Sequence, residues 1–166
     1  RRHIRIKILN DKGLNLANIK IPFYKYRMEE SIKDLEAQTI NLDASGSIVT
    51  SEVEQDLFYE TKLNKRFSER VFTFPEVKVG SVIEYRYTLV GLAMRNWYFQ
   101  KSIPVKYSSY KIDVPIEFEV VSSPITSLPF ESKKDSAAKR VIQTFSMQNI
   151  PALRDEPFIT CEDDYL

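Results

Sequence analysis

Between Phe72 and Leu89 the chain reads FTFPEVKVGSVIEYRYTL, and its second half alternates without a break. Ile83, Tyr85, Tyr87 and Leu89 fall on one side, with Glu84, Arg86 and Thr88 on the other. A period of two over that length is the pattern of a half-buried antiparallel strand. Just upstream, Phe72 and Phe74 alternate around Thr73, Pro75 closes that run, and Gly80-Ser81 reopens the chain. The stretch reads as strand, turn, strand, and the remaining segments are read against it.

From the start, Ile4, Ile6 and Ile8 alternate with Arg5 and Lys7, a strand with one wet face. Asn10-Asp11-Lys12-Gly13 is a turn, and Ile19, Ile21 and Phe23 form a second strand. The two are expected to make a hairpin, with Pro22 placing the second strand at an edge or near a strand end. Residues 27–37 are ambiguous: Met28, Ile32 and Leu35 fall at helical spacing, and Glu29 precedes Lys33 by four. Gln38, Ile40 and Leu42 return to strand, Asp43-Ala44-Ser45-Gly46 turns, and Ile48-Val49 comes back. Ser51 to Asn64 is polar, with a capping-box spacing at Ser51 and Glu54 but no amphipathic run behind it, so a loop with a short strand is expected. Trp97–Ile103 and Val105–Val114 read as strands separated by Pro104, with Phe118 and Val120 continuing briefly. Ser122–Ala138, rich in serine and holding the charged run Glu131–Asp135, reads as a loop, and Lys139–Met147 as a late strand.

The expected fold is therefore all-β: an antiparallel β-sandwich of roughly nine to eleven short strands with at most one short helix. Residues 1–150 are expected to form a single sandwich domain, and 151–166, punctuated by Pro151 and Pro157, an extended lead-out segment. The abrupt opening inside a strand pattern points to a fragment of a longer protein, truncated at its N-terminal side. The absence of a leader sequence then says nothing about the parent's location.

Composition narrows function by exclusion. Twenty-four basic against twenty-three acidic residues leave a net charge of +1. Such a balance supplies no long-range field for nucleic acid or an anionic membrane. No apolar run approaches the ~20 residues of a spanning helix. Neither nucleic acid nor membrane insertion by this segment is expected.

Catalytic motifs are equally sparse. The one histidine, His3, sits in a basic strand, and the one cysteine, Cys161, near the opposite end. Nucleophilic catalysis needs a nucleophile, a base and usually an orienting group, and a dyad of these two is not expected. A structural zinc site needs about four Cys or His ligands, against the two here. No EF-hand spacing, glycine-rich phosphate cradle or nucleophile elbow occurs. Glu162-Asp163-Asp164 reads as a solvated charge run. No catalytic residue, metal or cofactor is expected.

Aromatics are the remaining lead. Trp97, Tyr98, Tyr107 and Tyr110 fall near one another on adjacent expected strands. Such residues stack on sugars or anchor a protein partner, and equally they form cross-strand packing pairs. Trp97 shares a face with Phe99 and Ile103, which favours packing. Tyr98 shares one with Gln100 and Ser102, which makes it the better candidate for exposure.

Several of these stretches resemble one known family. They are Phe74-Pro75, Val77 and Val79-Gly80-Ser81-Val82-Ile83-Glu84-Tyr85 with Tyr87, and then Trp97-Tyr98-Phe99-Gln100 with Ile103-Pro104. The opening RRHIRIKILNDKG, Ala37–Asp43 and NIPALRDEPFITCEDDY at Asn149–Tyr165 agree as well. They are similar to a bacterial domain of unknown function that precedes transglutaminase-like domains of the papain-like cysteine protease superfamily. The resemblance implies a non-catalytic accessory domain of a larger exported protein, periplasmic or at the cell surface. Its partner would be the C-terminal transglutaminase-like domain of the same chain, which would hold the Cys, His and Asp of the triad. The alternative is a β-sandwich module binding a glycan or peptide through the exposed aromatics.

Overall fold

The structure is a computed structural model that describes residues 1–26, 30–91, 95–118 and 122–153. The described residues form ten strands: β1 (Arg2–Lys7), β2 (Asn18–Tyr24), β3 (Ser31–Leu42), β4 (Ile48–Glu52), β5 (Tyr59–Lys62), β6 (Phe67–Thr73), β7 (Val82–Val90), β8 (Val105–Pro115), β9 (Glu131–Ala137) and β10 (Arg140–Ile150). Two short 3-10 stretches, Asp11–Ala17 and Gln55–Leu57, complete the regular structure. Every strand pairing is antiparallel, as the alternation requires. The chain divides into two compact units, Arg1–Met94 and Arg95–Leu166.

The first unit holds two sheets, ordered β1-β7-β3-β4 and β2-β6-β5. Their facing sides share one core of Ile8, Ala17, Ile21, Ala37, Val53, Phe72, Phe74, Ile83 and Tyr87. Phe72, fully buried on β6, meets Tyr85 of β7 edge to face with centroids 5.8 Å apart. It meets Phe58 and Phe74 in the same way at 5.0 and 5.5 Å. Edge-to-face packing suits the ring quadrupole, and full burial of such a side chain contributes ~1.5–3 kcal/mol. Strand β7 turns Ile83 and Tyr87 inward and Arg86 to solvent, as its alternation predicts.

The strand-turn-strand at 72–89 is not a hairpin. β6 and β7 lie in different sheets, and residues 74–81 carry the chain from one sheet to the other. Buried side chains of β3 and the crossing itself satisfy its backbone. The Thr39 hydroxyl donates to Pro75 O (2.6 Å) and the Asn41 amide to Glu76 O (3.0 Å). The Ser81 hydroxyl donates to Asn41 Oδ1 (2.6 Å) and accepts the Lys78 N–H (2.9 Å). The Gly80 N–H donates to Ile8 O and the Ile8 N–H to Ser81 O, both at 2.8 Å. Gly80 holds φ +96°, where a side chain is strained, so the position favours glycine.

The expected hairpin of the first two strands is also corrected. β1 pairs with β7 and β2 with β6, because the 3-10 stretch between them carries the chain across the core to the second sheet. Pro22 does sit on an edge strand. The helical reading of 27–37 gives way to strand from Ser31, with Met28 and Glu29 outside the described residues. A bulge explains the false period. Lys33 pairs with Thr88 but Glu36 with Arg86, so β3 carries one extra residue, and Asp34 takes φ +52°. The extra residue brings Ile32 and Leu35, three apart, to the same core.

In the second unit the sheet is ordered β8-β10-β9. The expected strand at Trp97–Ile103 is not one. That segment is tied instead by a backbone bond from Leu153 N–H to Lys101 O (2.7 Å) and by the Gln100 amide donating to Pro151 O (3.1 Å). The expected loop at 122–138 ends in β9, whose charged, exposed residues suit an edge strand better than a core one. The brief continuation at Phe118 is a turn residue, with its N–H bonded to Pro115 O, and Val120 lies outside the described residues. β9 returns into β10 through Ala138 and Lys139, at φ +49° and +61°. That is the backbone of a type I′ turn, usually filled by Asn-Gly.

Two outcomes are expected. Ser81→Ala leaves Asn41 Oδ1 and the Lys78 N–H without their buried partner and should cost about 1–3 kcal/mol. A fall in the urea midpoint at unchanged slope checks it, and an unchanged midpoint contradicts it. Ala138→Asn with Lys139→Gly should relieve the left-handed strain and stabilise by about 1 kcal/mol, read as a higher midpoint.

Candidate functional site

Strand β8 decides how the second unit presents its aromatics. Ser108, Tyr110, Ile112 and Val114 alternate onto one face, where Ser108 and Ile112 are buried. Trp97 lies over that face: its indole N–H donates to Ser108 Oγ (3.1 Å), and its ring stacks on Tyr110 with centroids 6.0 Å apart and planes 16° from parallel. Tyr107, three residues from Tyr110, necessarily points the other way and is 58% exposed. Tyr98 is half-buried, with the Lys101 ammonium 5.6 Å from its ring centroid and its hydroxyl 3.4 Å from the Asn96 amide.

The four residues therefore do not make one platform. Trp97 and Tyr110 form a packing pair, Tyr107 faces solvent on the opposite side of the strand, and Tyr98 sits beside Lys101. A strand offers a flat stacking surface only through residues two apart, and 107 and 110 differ by three. Farther along the Tyr110 face, a cleft of about 410 Å³ lies among residues that include Ile112, Val114, Phe118 and Val141, with Glu117, Lys134 and Gln143 as its polar members. Its lining offers apolar contact with one carboxylate, Glu117, and one ammonium, Lys134.

The densest polar constellation lies in the first unit, and the sequence reading did not single it out. Registers Arg5↔Glu84 and Gln38↔Glu84 bring three strands together at the Glu84 carboxylate. Oε1 accepts Arg5 Nη2 at 2.7 Å and lies 2.5 Å from His3 Nε2, while Oε2 accepts the Gln38 amide at 3.0 Å. Beside it Arg86 donates to Glu36 through Nε (2.9 Å) and Nη2 (2.5 Å). Partial burial pushes the Glu84 carboxyl upward. The hydrogen bonds from Gln38, Arg5 and His3, with the Arg5 charge, outweigh it and hold the group at about 2. Burial, with Tyr87 beside it, likewise pushes the Tyr85 hydroxyl up to about 12.

The wet-face positions Arg5, Glu84 and Arg86 were each legible from alternation, but their meeting was not, because β1 and β3 reach β7 across the fold. With His3 engaged at Glu84, it stands on an exposed strand face. Cys161 and the Glu162-Asp163-Asp164 run lie outside the described residues. Among the described residues no three His, Cys, Asp or Glu side chains are grouped to hold a metal, and no helix is long and apolar enough to cross a membrane.

Comparison with known proteins gives two matches. A family described as a domain of unknown function with a solved structure, DUF3857, matches residues 1–154. A crystal structure from Parabacteroides distasonis ATCC 8503, of a protein named as a "putative protease", superposes with a TM-score of 0.66 at 16% identity. The superposition covers 94% of this chain and 33% of that one, so the chain spans a third of that neighbour's length. At such identity the likeness is one of fold. No curated protein matches the chain.

The Glu84 constellation makes a pH prediction. A carboxyl held at about 2 against an ordinary 4.5 contributes stability that is complete above pH 4.5 and lost as pH falls toward 2. Glu84→Gln should therefore lower the unfolding midpoint at pH 7, and the deficit should shrink between those two values. A deficit independent of pH would contradict the ion network as its source.

Proposed function

The chain belongs to the DUF3857 family, and from that membership we propose that it is a non-catalytic accessory domain of a larger exported transglutaminase-like protein. Its role would be to position or shield the catalytic domain that follows it. The observation that carries this reading is the length relation with the Parabacteroides distasonis protein. There the shared fold takes up a third of a chain named for protease activity, so two thirds of that chain lie outside it.

The chemistry in the described residues is consistent with that division of labour. In the first unit, Ser81, Asn41 and Thr39 are committed to holding a crossing between sheets, and Glu84 to joining three strands. In the second, the Trp97 indole is bonded to Ser108 and stacked on Tyr110. These groups work on the fold. A rigid scaffold of this kind can present a fixed surface to a neighbouring catalytic domain.

The test compares the 166-residue chain with its intact parent. The chain alone should neither hydrolyse peptides nor cross-link glutamine to lysine peptides, whereas the parent should do one or the other. Removing residues 1–150 from the parent should change its KM or its thermal stability while leaving its nucleophile in place. Turnover by the isolated chain, abolished by Cys161→Ala, would defeat the proposal.

A further inference from the structure

We propose that the free edge of β4 is a docking site for an extended, Lys- or Arg-bearing segment of a partner polypeptide, which would join the sheet β1-β7-β3-β4 as its fifth strand. The inference stands on the first unit alone and does not depend on the accessory role.

Backbone geometry comes first. The Val53 N–H bonds to Ala37 O at 2.9 Å and the Asp43 N–H to Ser47 O at 3.0 Å, on either side of the β3–β4 ladder. Hydrogen-bonded pairs alternate in an antiparallel ladder, so 39/51 and 41/49 are the bonded pairs between them. The N–H and C=O groups of Ile48, Thr50 and Glu52 consequently point away from β3, along the outer edge. No backbone partner meets them there among the described residues. An edge of this kind is a template for one more strand.

The other sheet edges carry the residues that discourage such pairing. β2 has Pro22, β5 ends in Lys62, β1 holds Arg2, Arg5 and Lys7, and β8 and β9 each contain two lysines. β4, IVTSE, has no Lys, Arg or Pro. Instead it exposes Ile48 at 72% and Val49 at 43%, beside Leu42 at 61% on the neighbouring strand. Apolar side chains on an unguarded edge are what an added strand covers.

Charge identifies the occupant. The charged residues between Lys33 and Lys62 are all acidic: Asp34, Glu36, Asp43, Glu52, Glu54, Asp56 and Glu60. The near-neutral composition of the whole chain conceals this block. Glu36 is paired with Arg86, and Glu60 with Lys25 and Arg70. Glu52, Glu54 and Asp56, at the end of β4 and just beyond it, are exposed and have no ion-pair partner among the described residues. Glu76 adds a carboxylate that accepts the Ser51 hydroxyl of β4. An acidic flank beside an open apolar edge favours a strand that alternates basic with β-branched residues and disfavours an acidic one.

A fluorescein-labelled decapeptide of alternating lysine and valine, titrated into the 166-residue chain and followed by anisotropy, tests the proposal. Saturable binding that weakens with salt is expected, with no binding of the glutamate–valine counterpart. Thr50→Pro removes an outward N–H while leaving the β3 ladder intact, and should weaken binding about tenfold or more. Glu52→Lys with Glu54→Lys should weaken it similarly and remove the salt dependence, which keeps the test decisive if the proline variant fails to fold. Absence of saturable binding at low salt would overturn the proposal, as would equal affinity for a folded Thr50→Pro chain. If the peptide-free chain forms a dimer that Thr50→Pro dissolves, the occupant is a second copy, and the assignment to a basic partner segment falls.

Discussion

The first unit depends on how one connection between its sheets is anchored by buried hydrogen-bonding side chains. Residues 74–81 pass from one sheet to the other beside the shared apolar core, buried at Phe74 and Ser81 and exposed between Lys78 and Gly80, and several of their backbone groups bond to buried side chains. Thr39, Asn41 and Ser81, all at least nine-tenths buried, supply the missing partners. Each unsatisfied group would cost about 1–3 kcal/mol, a large part of a domain's net stability. The Gly80-Ser81 pair that opens β7 is thereby explained. Glycine permits the positive φ, and serine is small enough to be enclosed while both donating and accepting.

The same constraint separates what the two faces of the sheet β1-β7-β3-β4 can do. Its inner face is fixed by packing and by this buried network. Its outer face is polar at the centre, where Glu84 gathers Arg5, His3 and Gln38, and grows apolar and acidic toward β4. A carboxylate that joins three strands holds their registers together, because a slip of one residue would carry Glu84 to the core side. Among the described residues the outer edge of β4 has no backbone partner, and that difference makes it the proposed place of extension.

The second unit shows why aromatic residues mislead when taken by type alone. Trp97 and Tyr110 were legible as neighbours, and they do touch. Their stacking, with the indole bonded to Ser108, engages one face of each ring and the indole N–H in packing. Tyr107 is left facing solvent because strand geometry places it on the other side. A stacking platform requires residues of like parity on well-ordered neighbours. Sequence proximity does not supply that.

Local period and turn chemistry were enough, by themselves, to determine the all-β class and the two faces of β7, and to place Pro22 at an edge or near a strand end, because each depends on residues two to four apart. Strand partnership needed the tertiary structure. β1 meets β7 some eighty positions away, and its hairpin with β2 fails because a 3-10 stretch intervenes. The apparent helix at Ile32 and Leu35 is a bulge at Asp34, indistinguishable by spacing from a helical turn until β7 fixes the register. The charged run that becomes β9 and the Ala-Lys type I′ turn break local preference and are held by pairing to β10. Short-range sterics write the alternation into the sequence. Which strands then meet is decided by the burial of Phe72, Tyr87 and their neighbours in one core, a contest between distant segments that no local pattern records.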